Sequence, residues 1–149
     1  MPTPSRRPHD IQPAYRFITR ADPSTALQIM TLYQAAGWWS STSDSLDLVT
    51  RIVQGSHCFL IARQASQIIG MGRAISDGAS DAYIQDVTVQ RSLRGRGIGR
   101  NLVKQLSQRL MADGIHWIGL IAENNTLNFY APMGFRAMPG AHPMVKIVP

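Results

Sequence analysis

The sequence predicts an α/β fold, a mixed sheet with helices on both faces. Three observations carry that prediction. Apolar spacing switches along the chain between the two-residue period of strands and the 3–4 spacing of helices. No proline occurs between Pro23 and Pro132, so both kinds of element can run unbroken there. A wholly apolar strand candidate, WIGLI, directly follows the longest amphipathic helix, which marks a strand–helix–strand unit at the centre of the sheet.

Each element has its own justification. Ala14–Ile18 alternates as a first strand. Asp22 caps a helix with Pro23 at its first position, and Ala26, Leu27, Met30, Tyr33 and Ala36 give one buried face before Gly37 stops it. Ser43 or Asp44 opens a second helix through Val53, with Leu48, Val49, Ile52 and Val53 inward and Gly55 ending it. Residues 57–63 (HCFLIAR) and Gln67–Ser76 (QIIGMGRAIS) read as a hairpin turning at 64–66. A loop, DGAS, leads to the strand Asp81–Val89, rich in β-branched and aromatic residues. Ile98, Leu102, Leu106 and Leu110 stack at i+4 steps in a helix over 97–113. Residues 117–121 form the strand expected to be buried on both faces, 125–133 a short helix ending before Gly134, and 135–148 one or two terminal strands.

Composition bounds the function. The 149 residues are 44% hydrophobic, which suits one domain over 13–149 behind a tail at 1–12. The tail is basic but no apolar stretch follows it, no run reaches the roughly 20 apolar residues of a membrane span, and one cysteine makes no intramolecular disulfide. The expected setting is the cytoplasm, with no membrane partner. Four histidines lack ligand spacing with each other or with Cys58, so no metal is expected, and Cys58 inside CFLIA reads as core. The net charge of +6 comes from thirteen Arg and two Lys, yet no nucleic-acid reader motif accompanies it. Instead, Arg91, Arg94, Arg96 and Arg100 concentrate around one glycine cluster, pointing to a single phosphate-rich ligand.

That cluster is the strongest chemical signal. In VTVQRSLRGRGIGR, Gly95, Gly97 and Gly99 stand between a strand and a long helix, where a turn can aim successive N–H groups at one spot beside the positive helix end. A P-loop would require GxxxxGK[ST], and no Lys-Ser or Lys-Thr pair follows; the dinucleotide pattern GxGxxG fails because Arg100 and Leu102 stand where a third glycine would be needed. The pattern that fits is [QR]-x-x-G-x-[GA], filled by Arg94, Gly97 and Gly99 after a strand ending V-T-V. With ENNTLNFYAPMGF downstream, the chain resembles the GCN5-related N-acetyltransferase (GNAT) superfamily, closely over about 81–136 and by element order over about 14–148.

The resemblance implies a central, largely antiparallel mixed sheet of six or seven strands, with the fourth and fifth splayed and about four helices on both faces. It implies acetyl-CoA as cosubstrate: Val87, Thr88 and Val89 along the pantetheine arm, Arg94, Gly95, Arg96, Gly97, Ile98, Gly99 and Arg100 around the diphosphate, and Asn125, Asn128 and Tyr130 nearby. Aminolysis of a thioester needs a proton taken from the amine and one supplied to the departing thiolate. Tyr130 is the candidate acid. Glu123, the only glutamate, is the candidate base if burial raises its pKa, with Asp86, Asp81, Asp77 and a water relay as the other routes. Asp86 should face opposite to Val87 by strand alternation.

IQDVTV and LIAENN…NFY are similar to segments of diamine acetyltransferases, but Gln85 replaces an acidic residue there, which disfavours a polyamine. Trp38, Trp39 and Asp77 are the candidate acceptor-binding residues. The expected activity is acetylation of a small-molecule primary amine in a ternary complex. Acetylation of a protein lysine or N-terminus and non-catalytic acyl-CoA binding are the alternatives, and a homodimer is expected by resemblance.

Overall fold

The computed structural model describes residues 12–40 and 45–149; the expected tail, except Gln12, and the proposed caps Ser43 and Asp44 lie outside them. Asp22 accepts from the Thr25 amide at 2.7 Å and Pro23 takes the first position of α1 (Pro23–Ala35). Ser45 caps α2 (Leu46–Gly55) by accepting from Leu48 N–H at 3.0 Å. The strands are β1 (Ala14–Ile18), β2 (Cys58–Gln64), β3 (Gln67–Ser76), β4 (Asp81–Val89) and β5 (Trp117–Gly119). They pair in that order, antiparallel through β4, with β4 and β5 parallel. Between the last two runs α3 (Ile98–Ala112); α4 (Leu127–Tyr130) follows β5 and continues into a short 3₁₀ turn, Ala131–Met133.

The sheet separates two apolar clusters. Ile29, Leu32 and Tyr33 of α1 and Val49 and Val53 of α2 pack on Phe59, Ile61, Ile68 and Met71. Leu102, Val103, Leu106 and Leu110 of α3 pack on Leu60, Ala62, Ile69, Ala74, Ala82 and Ile84 from the other side. Helices therefore cover both faces, as the element order requires.

Four expectations need correction. The buried stripe of α1 is Thr25, Ala26, Ile29, Leu32 and Tyr33; Leu27 is exposed, because the helix settles with Ile29 at its centre. The apolar run after α3 pairs only as far as Gly119, and Trp117 and Ile121 are exposed, so the strand is not buried on both faces. The helix expected over 125–133 divides at Pro132, which lacks the N–H that would continue α-helical bonding. Residues 135–148 form no strand: Pro139 and Pro143 remove ladder donors, Gly140 is left-handed, and Met144, Val145, Ile147 and Val148 are exposed. The sheet thus has five strands among the described residues, not six or seven.

One irregularity positions everything that follows. Opposite β3, Arg73 faces Gln85 and Met71 faces Thr88, so β4 carries one residue more than its partner. Asp86 is at the insertion, with φ +56°. Ala82 and Ile84 face the α3 cluster before it; Val87 and Val89 face the same cluster after it. The insertion reverses the alternation of the strand.

Gly72 sits inside this arrangement. A Cβ there would lie 2.9 Å from Leu106 Cδ1 and 3.2 Å from Val87 Cγ2. Gly72→Val should therefore lower stability by about 1–3 kcal/mol through overpacking. Chemical denaturation measures it, with Gly55→Ala, whose new methyl meets nothing within 4 Å, as the control expected to show no loss.

Candidate functional site

Between β4 and α3 the chain makes a 3₁₀ turn, Arg91–Leu93, and then two left-handed glycines, Gly95 at φ +76° and Gly97 at φ +82°. A side chain resists that conformation, and neither glycine has an atom within 4 Å of where a Cβ would stand. Gly97 is the N-cap of α3; no side chain caps the helix and no acidic residue occupies its first turn. The first helical amide to donate is that of Asn101, to the Gly97 carbonyl at 3.0 Å. The N–H groups from Gly95 to Arg100, with Arg96, Ile98 and Gly99 between, donate to no backbone acceptor among the described residues. This is an open row of donors at a positive helix end, suited to an anion. Arg94 contributes differently: its Nε donates to the Val89 carbonyl at 3.0 Å and closes the loop.

Beside the loop, β4 and β5 pair only from Asp81 opposite Trp117 to Tyr83 opposite Gly119. Residues 84–89, including Val87, Thr88 and Val89, have no strand partner on that side, which leaves the gap expected of a splayed pair. Phe129 packs near the first turn of α3, 3.4 Å from where a Cβ on Gly99 would be. Tyr130 meets Phe129 and Phe135 edge-on, at 4.9 and 5.9 Å between centroids. Burial, and secondarily the charge of Glu123, raises the Tyr130 hydroxyl pKa above its ordinary value.

On the opposite face, Asp86 Oδ2 accepts from Tyr33 Oη at 2.7 Å and from Arg73 Nε at 2.5 Å. Arg73 also reaches Gln85 Oε1 at 3.4 Å. Burial first, and then the Asp86 carboxylate, pushes the Tyr33 hydroxyl far upward, so it remains a donor. Trp39 stacks on the Tyr33 ring at 4.1 Å and 8°, and Trp38 meets its edge at 6.0 Å. Trp38 is partly exposed and Trp39 packs into the α1 cluster.

The sequence-predicted residues thus divide. The loop residues and the unpaired edge of β4 come together with Tyr130 and its neighbours around α3. Asp86 does face away from Val87, but its partners are Tyr33 and Arg73, which sequence reading missed; a lone arginine within the apolar run QIIGMGRAIS was the available signal. Glu123 is exposed in the loop after β5, so the burial on which its role as a base was argued is absent. Asn125 is left-handed at φ +60°, and both it and Asn128 are exposed. Asp77 accepts from the Ala79 and Ser80 amides at 2.8 and 3.0 Å, which lowers its pKa and makes it the former of its own turn. Cys58 is core, and burial pushes its thiol up to about 11.

Against known proteins, the profile of the Acetyltransferase (GNAT) domain matches residues 27–146. The chain is 40% identical over 77 residues to GCN5-related N-acetyltransferase 2, chloroplastic, of Arabidopsis thaliana, covering 52% of this chain and 30% of that one. It is 38% identical over 76 residues to histone acetyltransferase TAP1 of Glycine max, covering 51% and 33%. The chain therefore spans about a third of the length of these relatives. A GNAT-family acetyltransferase of Streptococcus pneumoniae superposes with a TM-score of 0.74 at 22% identity, covering 91% of this chain and 98% of that one.

The Asp86 network has a direct test. Tyr33→Phe removes one donor from a partly buried carboxylate and should cost about 1.5–3 kcal/mol in urea denaturation, since a hydrogen bond to a charged group is lost.

Proposed function

Because the chain belongs to the GNAT acetyltransferase family, we propose that it acetylates a small-molecule primary amine, with acetyl-CoA as donor. The observation that carries the donor is the row of amides from Gly95 to Arg100, without backbone acceptors among the described residues and containing two left-handed glycines. Those residues fit a diphosphate, and the unpaired edge of β4 at 87–89 fits an extended amide-bearing arm beside it. Bound there, acetyl-CoA supplies an activated acyl carbon and a thiolate leaving group.

The chain's own residues do the rest. Tyr130 is held protonated, and its ordinary value near 10 already exceeds that of a thiol, about 8.5. Full transfer of its proton to a thiolate is uphill, so Tyr130 acts in this reading as a hydrogen-bond donor that stabilises negative charge on sulfur. An amine acceptor, with a pKa of about 10.4 when lysine-like, must lose a proton before it attacks. Asp86 already accepts from Tyr33 and Arg73, which suits it to organising the acceptor face. Glu123 lies near enough for its charge to act on Tyr130, and we assign it the amine proton through water.

A second reading is acetylation of a protein lysine, favoured by the name of the Glycine max relative. The small-molecule reading is supported by the aromatic residues Trp38 and Trp39 in contact with Tyr33, whose hydroxyl donates to Asp86. Turnover on free amines that exceeds turnover on lysine peptides supports it; the reverse ranking selects the second reading.

A thermal melt tests the donor. Acetyl-CoA at 100 times its Kd should add about 2.7 kcal/mol, a shift on the order of 5–10 °C, with NAD and ATP as controls. Gly97→Glu should abolish the shift while the protein still folds, because the added carboxylate enters the row of donors; an undiminished shift removes the diphosphate assignment. Separately, Tyr130→Phe should lower kcat roughly 10–100-fold with little change in acetyl-CoA affinity. Steady-state kinetics shows the difference, and full activity would leave Tyr130 as packing.

A further inference from the structure

At the edge of the sheet farthest from the β4–β5 gap, a recess of about 230 Å³ opens where β1 and β2 meet the start of α1. Three arginines line it: Arg16 from β1, Arg20 from the turn that follows, and Arg63 from β2. Its floor is Ile61 and Thr25, both buried, with Ile18 half-buried beside them. Register sets Arg16 opposite Ile61, which packs in the α1 cluster, while Tyr15 and Phe17 on either side of Arg16 pack against the α3 cluster. The recess therefore lies on the α1 face, and α3, whose start carries the row of amides, packs on the other. Arg51, Arg73 and Arg109 each lie against a carboxylate. Arg16, Arg20 and Arg63 have no ion pair and donate no side-chain hydrogen bond among the described residues. Asp22 is the one carboxylate lining the recess, and its Oδ1 is taken by the Thr25 amide at 2.7 Å. Three guanidinium groups less one carboxylate leave two positive charges uncompensated there.

We propose that Arg16, Arg20 and Arg63 bind a phosphate monoester, at a second anion site separate from the row at 95–100. The charge selects the class. A phosphate monoester carries close to two negative charges at neutral pH and three strong acceptor oxygens, one for each guanidinium. A phosphodiester carries a single charge and leaves half of the excess unmatched, which disfavours a nucleic-acid backbone. A carboxylate has the same deficit, and its two coplanar oxygens leave a third guanidinium idle. Guanidinium forks hold phosphate oxygens in pairs of parallel bonds, so arginine rather than lysine at all three positions fits the assignment. The positive end of α1 adds to the field, since no acidic residue occupies its first turn. Ile18 and Ile61 offer apolar surface to the carbon skeleton that carries the phosphate. The site does not depend on the acetyl-transfer reading, and both anions can be held at once on opposite faces. Sequence reading passed over these arginines because they are scattered, Arg63 standing 43 positions after Arg20, whereas Arg91, Arg94, Arg96 and Arg100 are bunched.

Calorimetric titration at constant ionic strength tests it with three probes that share one ring: phenyl phosphate, methyl phenyl phosphate and benzoate. Phenyl phosphate, the only dianion, should bind at least about tenfold more tightly than the other two. Arg16→Gln and Arg63→Gln should each weaken it about fivefold or more, and Arg63→Lys should recover only part of the loss. Far-UV circular dichroism and the melting midpoint without ligand certify folding in the variants. Gly97→Glu, and saturation with acetyl-CoA, should leave phenyl phosphate binding unchanged. Vesicles containing phosphatidic acid bear the same group. Retention on them that Arg63→Gln abolishes assigns the monoester to a lipid headgroup, and passage through them assigns it to a soluble compound. Equal affinity for the three probes, no binding at millimolar phenyl phosphate, or binding that survives both glutamine substitutions overturns the site. Displacement of phenyl phosphate by acetyl-CoA overturns its separateness, because the probe would then occupy the row at 95–100.

Discussion

The extra residue in β4 is the constraint on which both faces of the sheet depend. A regular strand has one parity from end to end, and a slip of one residue exchanges its faces. Here Ala82 and Ile84 enter the α3 cluster at even positions, and Val87 and Val89 enter it at odd ones. Without the insertion, a strand keeping Ala82 and Ile84 inward would turn the two valines toward α1 and point Asp86 into an apolar cluster as an unpaired charge. The left-handed backbone at Asp86 costs on the order of 1–2 kcal/mol for a residue with a side chain. Tyr33 and Arg73 offset that cost by holding the carboxylate from two different elements. The bulge also ties the end of α1, with its stacked Trp39, to the middle of the sheet.

Much of this arrangement could be read from the chain, for reasons that are local. The α3 stripe of Ile98, Leu102, Leu106 and Leu110 is set by helical period alone, and all four are buried. Gly95 and Gly97 marked a turn that only residues tolerant of positive φ make readily, and both adopt it. What escaped reading depends on partners distant in sequence. Tyr33 and Asp86 are 53 positions apart, and DAYIQDVTV looks evenly alternating because Val87, Thr88 and Val89 are equally strand-like on either parity. WIGLI is as apolar after Gly119 as before it, and what ends pairing is the divergence of β4 from β5, a property of the sheet. Glu123 was argued from burial, but the chain leaves the sheet after Gly119, and both Ile121 and Glu123 are exposed.

The molecule divides its chemistry by face. Around α3 lie the donors of the Gly95–Arg100 loop, the unpaired edge of β4 and the phenol of Tyr130, all suited to negative charge. Around α1 lie a satisfied carboxylate, a guanidinium and an array of rings. Beside both sets, β4 and β5 part after Tyr83 and Gly119. In the acetyl-transfer reading, donor and acceptor approach from opposite sides and meet across one strand.

The bond from Arg94 to the Val89 carbonyl bears on how such a loop responds to ionic strength. A guanidinium spent on holding the loop's own backbone serves as a strut, and the hold on an anion then falls to oriented peptide dipoles. Dipoles release no counterions, and salt weakens them less than it weakens exposed charges. The exposed guanidinium groups of Arg91, Arg96 and Arg100 act at longer range, drawing an anion toward the loop from solution. Added salt should accordingly slow the arrival of an anionic ligand more than it hastens its departure.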